Sequence, residues 1–64
     1  MNFTTTPLFI ARIYDCYGEL IGYTTHSNAA TLESIVRSDW EGSDHATEFR
    51  IVDQNGNELV NDLI

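Results

Sequence analysis

Sixty-four residues allow one domain, and at that length a chain buries only about 60% of its unfolded surface. Ten acidic residues stand against three arginines and no lysine, a net charge of −7. That charge disfavours direct binding to nucleic acid or to an anionic membrane, both of which select cationic surface. A hydrophobic content of 42% is enough for one small core and argues against a wholly disordered chain.

The expected organisation is one domain over 1–64. Residues 1–7 read as an extended lead-in, with three threonines before Pro7, which disfavours helix at the residue preceding it. Phe9, Ala11 and Ile13 then alternate with Ile10, Arg12 and Tyr14, a period-2 run of β-formers. Asp15-Cys16-Tyr17-Gly18 has the Asp-first, Gly-last pattern of a tight turn, and Leu20 to Thr25 resumes the strand, so 8–25 is predicted as a hairpin.

His26-Ser27-Asn28 supplies N-cap candidates for a helix over 28–40. Ala29, Leu32, Val36 and Trp40, flanked by Ile35, make one apolar stripe, and Gly42 is the expected terminator. Phe49 and Ile51 alternate against Glu48, Arg50 and Val52, Asn55-Gly56 is a hairpin signal, and Leu59, Val60, Leu63 and Ile64 are available for burial. A second hairpin is therefore predicted over 47–64. The fold class is α+β, ββαββ, with an antiparallel four-stranded sheet packed on one helix.

The stretch from Arg12 to Ile21 resembles that from Arg50 to Val60 when one residue, Asn57, is treated as an insertion. Two turns needing the same residues explain the match more simply than duplication does. With that insertion the turns need not be of one type, and the facing pairs stay open. One helix covers one face of a sheet. With Phe9, Ile13, Phe49 and Ile51 under the helix, Leu8, Ile10, Arg12, Tyr14, Arg50 and Val52 fall on the opposite face. That face is expected to expose more apolar area than a monomer usually leaves open.

The residues that carry chemistry are few. Cys16, His26 and His45 lack a third group suggested nearby, and read as a turn thiol and two surface histidines. The single cysteine has no internal disulfide partner, which fits a reducing, cytoplasmic setting. No apolar run approaches a membrane span, and no secretory signal pattern opens the sequence. Asp39 to Asp44 superficially matches a calcium loop, but its sixth residue is Asp44 rather than Gly and its twelfth is Arg50 rather than Glu. Asn2-Phe3-Thr4 is a formal glycosylation sequon. No cofactor, metal or catalytic residue is assigned, and the chain is expected not to be an enzyme.

Asp39, Glu41, Asp44 and Glu48 lie between Arg37 and Arg50 with no lysine or arginine among them and Trp40 embedded. They read either as a solubilising loop or as an acidic surface for a basic groove. Trp40 also continues the helical stripe, which makes it a core residue first. The remaining acids are spread over the turns and the helix, so a short phosphate track is imitated in part at most. In size, acidity and build the chain is similar to small proteins that phages and mobile elements use against host defence, such as anti-CRISPR proteins and DNA mimics. The resemblance rests on overall character, with no matching motif. It implies a partner that is a basic protein or nucleoprotein complex, met in the host cytoplasm, and bound through Asp39, Trp40, Glu41, Asp44 and Glu48. The alternative is a homodimeric adaptor joined through Ile10, Arg12, Tyr14, Arg50 and Val52, or through an edge strand.

Overall fold

The structure is a computed structural model and describes residues 8–64. The lead-in over 1–7, with its sequon, lies outside the described residues. Strand β1 (Phe9–Tyr14) and strand β2 (Leu20–His26) form the first hairpin, helix α1 (Ala29–Trp40) follows, and β3 (Glu48–Asp53) with β4 (Glu58–Leu63) forms the second. All pairings are antiparallel, and the strand order is β2-β1-β3-β4. The two hairpins therefore lie side by side in one sheet, joined through β1 and β3, as an α+β domain.

The helix begins where Asn28 stops the strand. Its backbone is extended, and its side-chain oxygen accepts from the Thr31 N–H at 3.0 Å, satisfying one of the free donors of the first turn. Leu32 and Val36 face the sheet and are buried with Ala11, Ile13, Phe49 and Ile51; Phe9, Trp40, Ala46, Val60 and Ile64 pack around them. The helix ends differently from the expectation at Gly42. Among the described residues only Gly18 and Gly56 have positive φ, so Gly42 forms no left-handed cap. The Ser43 N–H donates to the Trp40 carbonyl at 3.0 Å instead, closing the last turn by a tighter, three-residue step.

The two turns are built alike, which corrects the insertion at Asn57. In each, a glycine N–H donates to an aspartate carbonyl three residues back, Gly18 to Asp15 at 3.1 Å and Gly56 to Asp53 at 3.0 Å. The aspartate N–H donates across to the Glu19 or Asn57 carbonyl, and both glycines are left-handed, with φ of 79° and 86°. This is a three-residue loop closed by glycine rather than a two-residue Asn-Gly turn. Each hairpin then carries one extra residue on its second strand, between Leu20 and Gly22 and between Glu58 and Val60. The repeat is thus gapless in space: Arg12, Asp15, Gly18 and Ile21 correspond to Arg50, Asp53, Gly56 and Leu59. Glu19 corresponds to Asn57, so the Glu19–Glu58 match behind the insertion is a coincidence of composition.

Burial in β4 is also less than its composition implies. Leu63 pairs with Glu48 and stands on the face away from the helix, 66% exposed, while Leu59 occupies the irregular position and is 50% exposed. Val60 and Ile64 do pack against the core.

Candidate functional site

Three rows of side chains cross the face that the helix leaves open. The strand register sets them as Thr25, Ile10, Val52 and Glu58; then Tyr23, Arg12, Arg50 and Asn61; then Leu20, Tyr14, Glu48 and Leu63. Of the six residues expected on this face, the five within β1 and β3, Ile10, Arg12, Tyr14, Arg50 and Val52, are adjacent there. Apolar groups do reach solvent, with Tyr23 70% and Leu20 54% exposed. The centre of the face is cationic, however, because Arg12 and Arg50 are directly opposed across β1 and β3. The Arg50 guanidinium sits 5.2 Å from the Tyr14 ring centre and within 3.8 and 3.9 Å of Glu48 and Glu58.

The acids gather at one end of the sheet. The Thr47 N–H donates to the Tyr14 carbonyl at 2.9 Å and the Ile64 N–H to the Thr47 carbonyl at 3.0 Å. These bonds bring the 41–47 loop and the C-terminal residue beside the turn that follows Tyr14. Asp39, Glu41, Asp44 and Glu48 therefore share an end of the molecule with Asp15 and Glu19, from the first hairpin turn. Asp53 and Glu58 lie at the other end, beside the second turn.

The acids divide into engaged and free ones. Asp15 accepts from the Tyr17 and Glu19 N–H groups at 2.9 Å, so it is committed to its turn. Asp53 does the same for Asn55 and Asn57 at 2.8 and 2.9 Å and also accepts from the Asn57 amide. Those donors, the Asn57 N–H foremost, hold the Asp53 carboxyl below its ordinary value of 3.8. Asp62 is held below that value as well, by the Leu63 N–H first and then by Arg37, whose guanidinium lies 2.9 Å away. Asp39, Glu41, Asp44 and Glu19 form no ion pair among the described residues, while Glu48 is near Arg50. Trp40, grouped with these acids in the sequence, is half-buried against the core.

A depression lined by Arg37, Glu41 and Ile64 encloses about 130 Å³, below the roughly 300 Å³ at which small-molecule sites begin. Cys16 lies in the first hairpin turn and His26 at the far end of β2, where its Nδ1 accepts from the Asn28 N–H at 3.0 Å. Among the described residues, no three His, Cys, Asp or Glu side chains are grouped as a metal site would require. No helix among them is long and apolar enough to cross a membrane. In comparisons with family models, with curated proteins and with solved structures, the chain matches none.

Proposed function

We propose that this chain is a small acidic, non-enzymatic binding protein that docks on the basic, nucleic-acid-binding surface of another protein or nucleoprotein complex. The observation that carries the reading is the segregation of charge. Asp39, Glu41 and Asp44 have no cationic partner among the described residues, and they share one end of the sheet with Glu19 and Glu48. Lysine and arginine side chains that normally hold phosphate would meet these carboxylates instead, through charge-assisted hydrogen bonds and favourable long-range steering. The role suited to such a surface is inhibition, of the kind used by phages and mobile elements against a host defence complex in the cytoplasm. Trp40 sits at the margin of the acidic end, with its ring packed on the core.

The homodimer reading is favoured by the uncovered face, with Ile10, Val52, Leu20 and Leu63 on it. Face-to-face pairing of two copies would bring four guanidinium groups from Arg12 and Arg50 together about the two-fold axis. Burying unmatched charge in that way is costly, which ranks this reading second.

The test is affinity capture from host lysate at low and then high salt, with the chain's own mass followed by light scattering. The acidic-end reading expects a nucleic-acid-binding protein that is released by salt, since screening weakens exposed charge pairs. A stable dimer with no salt-sensitive partner contradicts it.

A further inference from the structure

The correspondence between the two hairpins has an axis, and it passes through one residue pair. Arg12 and Arg50 are equivalent positions of the repeat, and they are also each other's partners across β1 and β3. The pseudo-two-fold therefore runs through the sheet between them, and two of the chain's three basic residues meet on it in the middle of the open face. Like charges directly opposed across strands are destabilising. Arg37, by contrast, is fully engaged, donating to Asp62 at 2.9 Å and to the Leu63 carbonyl at 3.3 Å.

Neither face arginine is satisfied in that way. Arg12 has no carboxylate within ion-pair distance and donates no hydrogen bond among the described residues. Arg50 approaches Glu48 and Glu58 only at 3.8 and 3.9 Å, longer than the roughly 2.7–2.9 Å of a charge-assisted hydrogen bond. Two guanidinium groups thus present free donors side by side on rigid strands, with Tyr23 beside Arg12, Tyr14 beneath Arg50, and Ile10 paired with Val52 in the next row.

We propose that this face binds a carboxylate-bearing extended peptide segment of a partner protein, with the acidic side chain held between Arg12 and Arg50. Guanidinium forks match carboxylate geometry, and the flanking tyrosines with Ile10 and Val52 offer apolar contact to the peptide beside that carboxylate. The charge of the whole chain selects against the other anionic macromolecule. A nucleic acid would bring many phosphates up to a molecule of net charge −7, whereas a peptide brings one or two carboxylates. This inference does not rest on the acidic-end reading, because it concerns the opposite sign of charge on a different surface.

The experiment is an amide-resolved NMR titration of the full chain. The probe is an N-acetylated, C-amidated pentapeptide alternating valine with glutamate. Its glutamine counterpart, a tetrathymidylate and inorganic phosphate are run alongside. The glutamate peptide should move the amides of Ile10 to Tyr14, Tyr23 and Glu48 to Val52, and the glutamine peptide should not. Arg12→Gln and Arg50→Gln should each weaken binding by about tenfold, with Arg12→Lys intermediate. Both arginines are exposed, so a retained amide spectrum verifies that each variant folds. The inference is overturned by no shift at millimolar peptide, by equal binding to the Gln variants, or by a tighter complex with tetrathymidylate. Shifts from phosphate as large as those from the peptide would mean an adventitious ion only. Shifts of the same amides with protein concentration alone would assign the face to a second copy instead. Either result overturns it too.

Discussion

The ring of Trp40 lies on Gly22, where an added β-carbon would fall 2.7 Å from Cζ2 and 2.8 Å from Cη2. A glycine inside a strand is otherwise a weakness, and here its missing side chain makes the seat for the indole at the end of the helix. Gly22 pairs with Ile13, so the same contact fixes the end of the helix over the part of the sheet nearest the acidic loop.

Gly22→Ala should therefore destabilise the fold by about 1–3 kcal/mol, the usual cost of overpacking. In a Trp40→Leu background the same substitution should cost much less, because a shorter, flexible side chain can move aside. Urea denaturation of the four proteins measures that coupling. An equal cost in both backgrounds would mean that the indole does not rest on Gly22.

The two turns share one geometry and should fail alike. Gly18→Ala and Gly56→Ala each force an L-residue into the left-handed region, with no neighbouring atom within 4 Å to add a packing effect. Each should cost about 1–2 kcal/mol, and the two values should agree closely. Thermal unfolding of both variants checks the equivalence of the turns. A large difference would restore a distinct role for Asn57.

Acid should weaken the fold through Asp53 and Asp62. Their folded carboxyls titrate below the ordinary value of 3.8, so the folded state binds protons less readily than the unfolded one. The stabilisation is complete above that value and is lost as pH falls through the lower, folded values. Asp53→Asn keeps the acceptor oxygen and removes the titration, so its stability should fall less than the parent's between about pH 5 and pH 2. Denaturation midpoints across that range measure it, and parallel curves would contradict the assignment.

Much of the architecture was legible because the local signals agree with one another. Period-2 alternation in Phe9 to Tyr14, the cap at Asn28 and the stripe through Leu32 and Val36 each report on a few neighbouring residues. The pairing of β1 with β3 depends on contacts about forty residues apart, and no local pattern records it. The Arg12–Arg50 opposition follows from that pairing and was hidden for the same reason. The gapless repeat was obscured by an ambiguity of composition, since Glu19 aligns equally well with Glu58 until turn geometry ties it to Asn57.

The acidic end was legible only in part. A run from Ser38 to Phe49 without lysine or arginine marks Asp39, Glu41, Asp44 and Glu48, and strand order then adds Glu19 to them. Asp three residues before Gly, the spacing at Asp15 and at Asp53, is the signal that marks these two carboxylates as turned back onto their own backbone N–H groups and so separates them from the free acids. Gly22 carried a signal as well. A lone glycine in a strand of β-branched and aromatic residues marks a close approach, which here is that of Trp40.

The docking claim is tested most directly by reversing the loop charges. A variant carrying Asp39→Lys, Glu41→Lys, Asp44→Lys and Glu48→Lys is compared with the parent for binding to the captured partner at low salt. Loss of that binding, with the fold and the mass in solution unchanged, is the predicted result. A partner retained equally by both proteins would contradict the claim and move the interface elsewhere on the molecule.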